Sequence, residues 1–180
     1  MDDTNDKALV VVATDREWEA LRDIGSKHRL RMNPVPLPNL ACWELGIAYG
    51  WRFYLVRSEM GTQGAGAATL VADEAIRRIQ PRFVLMPGVA FGLQKDKQKL
   101  ADLLVARWII DYETCKVTPD NVFERGLRFE ASVELLTKAR LEASVTKRVQ
   151  FGEIICGCKL VNSPMLARRA LPSISRGDRR

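Results

Sequence analysis

Six residues, Ala8 to Ala13 (ALVVVA), constrain this chain more than any others. The run is β-branched, of strand length and apolar on both faces, so it needs cover on each side, as a central strand between helices has. It gives way at once to a helix. Thr14-x-x-Glu17 has the spacing of a capping box, and Trp18, Leu21 and Ile24 follow at intervals of three on one apolar face.

The same alternation continues. Ala41 to Leu45 and Trp51 to Val56 are two strand-like runs separated by Gly46 to Gly50, which predicts a hairpin. From Ala65 the apolar positions Ala68, Val71, Ala72, Ala75, Ile76 and Ile79 fall at threes and fours, a helix ended by Pro81. Strands are expected at Phe83 to Met86, Leu103 to Ile110 and Val149 to Cys156, and helices at Ser132 to Ala143 and from Pro164 to Leu171. The fold class is therefore α/β, a mixed central sheet flanked by helices.

Composition narrows the function classes. The 180 residues, 47% apolar and 28% charged, suit one soluble globular domain and disfavour disorder or a coiled-coil rod. No apolar run reaches the roughly 18 residues a membrane helix needs. The acidic start, MDDTNDK, is unlike a signal peptide, so no membrane partner and a cytoplasmic location are expected. The +6 net charge sits mostly in the last fifteen residues, whose five arginines and one aspartate contribute +4. The body carries no basic stripe interleaved with aromatics, so no nucleic-acid partner is expected.

Cys42, Cys115, Cys156 and Cys158 are too few and too irregular for a disulfide framework and are read as reduced, mostly buried thiols. The single histidine, His28, excludes HExxH and multi-histidine metal sites, and no metal or cofactor is called for. Any chemistry is then carboxylate chemistry.

In open α/β sheets a ligand crevice lies beyond the carboxyl ends of the strands. Three segments occupy such places: Thr14-Asp15-Arg16-Glu17, Ser58-Glu59-Met60-Gly61-Thr62-Gln63-Gly64, and Gly88-Val89-Ala90-Phe91-Gly92. Glycines 61, 64 and 66 precede a helix, where they either aim amides at an anion or let helix pack closely on strand. Glu17 has two readings as well, a cap partner for Thr14 and a catalytic carboxylate.

ALVVVATDREWEAL, SEMGTQGAGAA, FVLMPGVAFGL, QKLADLLVA and FGEIICGCKLVNS, in this order over residues 8 to 163, resemble the motifs of the nucleoside phosphorylase and nucleosidase superfamily. The resemblance is strongest to methylthioadenosine/S-adenosylhomocysteine nucleosidases. It implies hydrolysis of the N-glycosidic bond of a purine nucleoside, such as methylthioadenosine, through an oxocarbenium-like ribose. Glu17 matches the family glutamate that deprotonates the attacking water, and Thr14 lies in the same turn. Gly88, Val89, Ala90 and Gly92 match the turn that approaches ribose and base, and Leu160 and Val161 the pair that holds the purine. Family members form dimers or larger rings, so a homo-oligomer is expected.

The phosphorylases of the family hold phosphate partly through a Gly-Asp-Pro-x-Arg turn after the first strand, which Thr14-Asp15-Arg16-Glu17 lacks. Phosphorolysis thus stands second to hydrolysis, with Arg16 or Arg57 as its cation. Val89 replaces a serine, Phe91 a small residue, Ala101 the glycine of the usual Val-Gly-Asp, and Cys156 and Cys158 a serine and an acidic residue. The family's later ribose-gripping Glu-Met-Glu and purine-protonating aspartate find no counterpart before residue 180.

The expectation is therefore a C-terminally incomplete domain over residues 1–172 with impaired activity, or a nucleoside-sensing or interaction module without catalysis. Residues 173–180 form a basic tail. Arg176-Gly177-Asp178-Arg179 can be encoded by codons that, read one base later, spell Glu-Ala-Ile-Glu, so the tail is read as out-of-frame translation.

Overall fold

The computed structural model describes residues 6–61, 64, 66–90, 92, 97–111, 115–117, 122–124, 126–145 and 148–157. The chain divides into two units, Met1–Val89 and Ala90–Arg180. The expected helix from Pro164, the tail at 173–180 and Cys158 lie outside the described residues.

The first unit is built around β1 (Lys7–Val12), the apolar run at the start of the chain. It is followed by α1 (Asp15–Lys27), β2 (Asn33–Leu37), β3 (Leu40–Ala48), β4 (Trp51–Arg57), α2 (Ala68–Ile79) and β5 (Phe83–Leu85). The strands form one mixed sheet in the order β2-β3-β4-β1-β5. Within it β1 runs parallel to both β4 and β5, and β3 is antiparallel to β2 and β4.

Each residue from Ala8 to Val12 is at most 5% exposed. Leu9 and Val11 face one side, where Cys42, Val56 and the α2 residues Val71, Ala75 and Ile79 join them. Val10 and Val12 face the other, with Leu45, Leu55 and the α1 residues Trp18 and Leu21. Fully burying one such side chain is worth roughly 1.5–3 kcal/mol. Two helices on two faces of one strand are thus what its unbroken apolar pattern requires.

Trp18 also packs against Trp43 of β3 in a tilted pair, ring centroids 4.2 Å apart and planes at 58°, which fixes α1 to the sheet. The apolar faces of both helices are narrower than their spacing suggests. Ile24 is 51% exposed and Ile76 is 41% exposed, each one step past the region the sheet covers.

The hairpin is present with a shorter turn than expected. Tyr49 and Gly50 alone form the connection, both at positive φ, and Ala48 pairs with Trp51. Gly46, at φ 96°, belongs to β3, where the pairing register shifts between Glu44 and Gly46. It serves a bulge, a use of glycine that looks like a loop in sequence. Strand β2 has no signal in the pattern because Pro34 and Pro36 break it. An edge strand tolerates proline, since half its amides need no partner.

Helix α2 starts at Ala68, later than the expected Ala65. It ends at Gln80 in the left-handed region, whose amide donates to the Ile76 carbonyl, immediately before Pro81.

The second unit holds β6 (Leu103–Asp111), β7 (Cys115–Val117), β8 (Val122–Glu124), β9 (Arg128–Glu130), α3 (Val133–Val145) and β10 (Val149–Cys156). Strand β6 lies between a parallel β10 and an antiparallel β9, and β7 pairs with β8. The three-residue strands β7, β8 and β9 were too short for a periodicity argument to find.

Asp102 anchors the entry to β6. Its carboxylate accepts from the Lys99 amide at 2.8 Å, from Gln150 Nε2 at 2.8 Å and from Arg148 Nε at 3.4 Å. Ala101 just before it has φ 67°, a conformation that glycine adopts without strain. Of the cysteines, Cys42 is buried as expected and Cys156 is exposed, on the last residue of β10.

Candidate active site

Because β1, β4 and β5 are mutually parallel, their carboxyl ends reach the same edge of the sheet. The three segments singled out in sequence, Thr14 to Glu17, Ser58 to Gly64 and Gly88 to Gly92, begin from that edge after β1, β4 and β5. The topology therefore builds a ligand edge of the kind expected in α/β sheets.

Thr14 is the N-cap of α1, in extended backbone with φ −122° and ψ 155°. Its Oγ1 accepts from the Glu17 amide at 3.2 Å. Glu17 returns the bond: its Oε2 accepts from the amides of Thr14 and Ala13, each at 3.1 Å. The capping box is complete, and it engages one carboxylate oxygen.

The other oxygen points elsewhere. Oε1 of Glu17 lies 3.2 Å from the position a Cβ would take on Gly88. The cap and a carboxylate turned toward the turn after β5 thus coexist in one side chain, and Gly88 leaves the room for it. Glu17 is half-buried, with a carboxylate orientation set by two amides.

The segments leaving this edge expose apolar side chains, Met60 at 75%, Met86 at 65% and Val89 at 96%, beside the charged Asp15, Arg16 and Glu59. Beneath it, Ser58 is 5% exposed, and both its amide and its Oγ donate to the Val12 carbonyl, at 2.9 and 3.3 Å. This ties the ends of β1 and β4 together directly before the residues that hold Glu17.

The glycines before α2 are explained by the backbone. Gly61 and Gly64 have φ 94° and 103°. The Gly61 carbonyl accepts from the Ala68 amide at 3.2 Å and the Gly64 carbonyl from the Ala67 amide at 3.1 Å. A Cβ on Gly66 would lie 2.5 Å from Cδ of Glu59, whose side chain crosses there. Left-handed backbone therefore accounts for Gly61 and Gly64 and the crossing Glu59 side chain for Gly66, and the amides of Ala67 and Ala68 bond back into the loop.

One relationship escaped the sequence reading. Arg57 Nη2, at the end of β4, forms an ion pair with Asp15 Oδ1 in the first turn of α1. The two are 42 residues apart in sequence, and only the parallel pairing that sets Arg57 beside Val12 brings them together.

Of the residues singled out in sequence, the structure gathers Thr14, Glu17 and Gly88, with Val89 exposed next in the chain. Ala90 and Gly92 are exposed and belong to the second unit, where a Cβ on Gly92 would lie 2.8 Å from Gln98 Oε1. Leu160 and Val161 lie outside the described residues. Among the described residues no three His, Cys, Asp or Glu side chains gather as metal ligands, and no helix is long and apolar enough to cross a membrane.

No protein-family model and no curated protein matches the sequence. Solved structures do match it. The methylthioadenosine/S-adenosylhomocysteine nucleosidase of Helicobacter pylori, solved with butyl-thio-DADMe-Immucillin-A, superposes with a TM-score of 0.74 at 21% identity, over 92% of this chain and 70% of that one. The futalosine hydrolase of Helicobacter pylori gives 0.70 at 20% identity, over 91% and 71%. A putative methylthioadenosine nucleosidase from Weissella paramesenteroides gives 0.72 at 14% identity, over 96% and 72%. A mixed sheet with β1 buried between parallel β4 and β5, a capped Glu17 at its carboxyl edge and these superpositions together establish that the chain carries the nucleoside phosphorylase and nucleosidase fold.

Proposed function

We propose that this chain binds an adenine nucleoside such as methylthioadenosine at the carboxyl edge of β1, β4 and β5, and hydrolyses its N-glycosidic bond with Glu17 as general base. The observation that carries the reading is the division of labour in the Glu17 carboxylate, with Oε2 held by two amides and Oε1 turned to Gly88. A general base must be fixed in orientation and have an oxygen within hydrogen-bond reach of the proton it takes. The nucleosidase fold and the nucleoside analogue bound by the Helicobacter pylori nucleosidase support the substrate class.

In this reaction Glu17 Oε1 takes a proton from water as the water oxygen bonds to C1′ of the ribose. The C1′–N bond breaks, its electron pair leaves with the purine, and the ribose passes through an oxocarbenium-like state. The departing purine takes up one proton, which balances the one held by Glu17. The exposed side chains of Met60, Met86 and Val89 supply apolar surface for the nucleoside. Leu160 and Val161 stay candidates for the purine contact, and Ala90 and Gly92 for the ribose turn.

The test is release of adenine from methylthioadenosine by the purified chain, followed chromatographically. Product that disappears in Glu17→Ala supports hydrolysis by this carboxylate. Saturable nucleoside binding without product would make the protein a nucleoside-sensing module, and adenine release that requires phosphate would make it a phosphorylase.

A further inference from the structure

We infer that Asp15 is a specificity-determining residue: by holding the Arg57 guanidinium it keeps inorganic phosphate away from the Glu17 edge of the sheet and reserves that side for water. The inference rests on the reading of the site as a nucleoside-cleaving one and adds what selects its nucleophile.

An arginine at the end of β4 is the group an oxyanion would use. Its guanidinium offers planar, paired donors that suit phosphate, and its register opposite Val12 sets it beside the segment leading to Thr14 and Glu17. One of them, Nη2, is paired with Asp15 Oδ1 instead. The side chains of Arg57 and Asp15 are 42% and 73% exposed, so the pair adds little to stability. Its consequence is electrostatic.

The segments leaving β1 and β4 carry Asp15, Glu17 and Glu59 against Arg16 and Arg57, three negative charges to two positive. A phosphate dianion approaches this edge against a net negative charge. Water is indifferent to it. At the start of α2, a second place an anion could approach, the amides of Ala67 and Ala68 donate to the carbonyls of Gly64 and Gly61. One guanidinium nitrogen and two amides near this edge thus have partners within the protein.

Neutralising Asp15 changes this balance. Asp15→Asn removes one of the three negative charges and releases the guanidinium while keeping the shape of the first turn. The full-length chain is titrated with inorganic phosphate, and binding is followed by calorimetry and by ³¹P line width. Asp15→Asn is expected to bind phosphate roughly three- to fivefold more tightly than the unmodified protein, a difference of ~0.6–1 kcal/mol. The double variant Asp15→Asn/Arg57→Gln is expected to lose that gain. Asp15→Ser, also suited to a helix start, serves as the second variant if the first does not fold.

Equal phosphate affinity in the unmodified and Asp15 variants would overturn the inference, as would a gain that survives loss of Arg57. The titration needs no turnover. A protein that releases no adenine yet shows this pattern would refute the proposed hydrolysis and leave the role of Asp15 standing. Hydrolysis without the pattern would do the reverse.

Discussion

Oε1 of Glu17 stands 3.2 Å from the point where any side chain on Gly88 would begin, although the two residues leave different strands of the sheet. A Cβ at that point would lie closer than an ordinary van der Waals approach, so the absence of a side chain on Gly88 leaves the room the carboxylate uses. Gly88→Ala is expected to push the carboxylate off its present line and lower kcat for adenine release by roughly tenfold, in keeping with the steep distance dependence of catalytic geometry. Steady-state kinetics check this. An unchanged kcat would mean that the carboxylate does not act at that spot.

The cap and the base can be separated experimentally. Gln is an accepted partner in a capping box, so Glu17→Gln should keep the bonds to the Ala13 and Thr14 amides while removing the proton acceptor. Its urea midpoint is expected near that of the unmodified protein, with adenine release down by ~10²–10⁴-fold. Thr14→Ala should act in the opposite sense and lower stability by about 0.5–2 kcal/mol. A Gln variant that retains full activity would remove Glu17 from the chemistry.

Ala101 holds φ 67°, in the region where a Cβ meets the neighbouring carbonyl. Ala101→Gly relieves that strain at the expense of a freer unfolded chain, and a net gain of roughly 0.5–1 kcal/mol is expected. Thermal unfolding measures it.

Asp102 gives the second unit a dependence on pH. The hydrogen bond from the Lys99 amide, and after it the hydrogen bond and the charge of Arg148, hold its carboxyl below the ordinary aspartate range against the opposing effect of desolvation. A carboxyl depressed in the folded state binds fewer protons there than in the unfolded chain. Its contribution is therefore complete above the unfolded pKa and disappears as pH falls through the folded one. Asp102→Asn should flatten the acid limb of a stability-versus-pH curve. Matching curves for the two proteins would count against the anchor.

Burial pushes the Cys42 thiol up to about 11. The sign is opposite to that of Asp102: the protonated form is favoured in the folded state, and stability declines as pH rises past the ordinary thiol value toward 11. At neutral pH Cys42 should resist iodoacetamide until the first unit unfolds. Modification in step with the denaturation midpoint, mapped by mass spectrometry, is the expected outcome.

Local interactions made much of this protein readable in one dimension. The apolar run of β1 demands cover on two faces, and Thr14 and Glu17 close a box whose partners are three residues apart, so both follow from covalent neighbourhood and periodicity. Strand β2 stayed hidden because its prolines are acceptable only at an edge, and an edge is a property of the assembled sheet. Gly46 looked like a loop for a related reason, since a bulge exists only against a partner strand.

The site divides in the same way. Its carboxylate was visible from the spacing of Thr14 and Glu17, but spacing alone favoured the cap, and the catalytic reading came from the family resemblance. Tertiary structure decided that one oxygen does the capping while the other faces Gly88, because parallel pairing of β1 with β5 brings residues 71 positions apart to one edge. The same pairing with β4 joined Asp15 to Arg57. Sequence determines which groups a segment carries; the register of distant strands determines which of them meet.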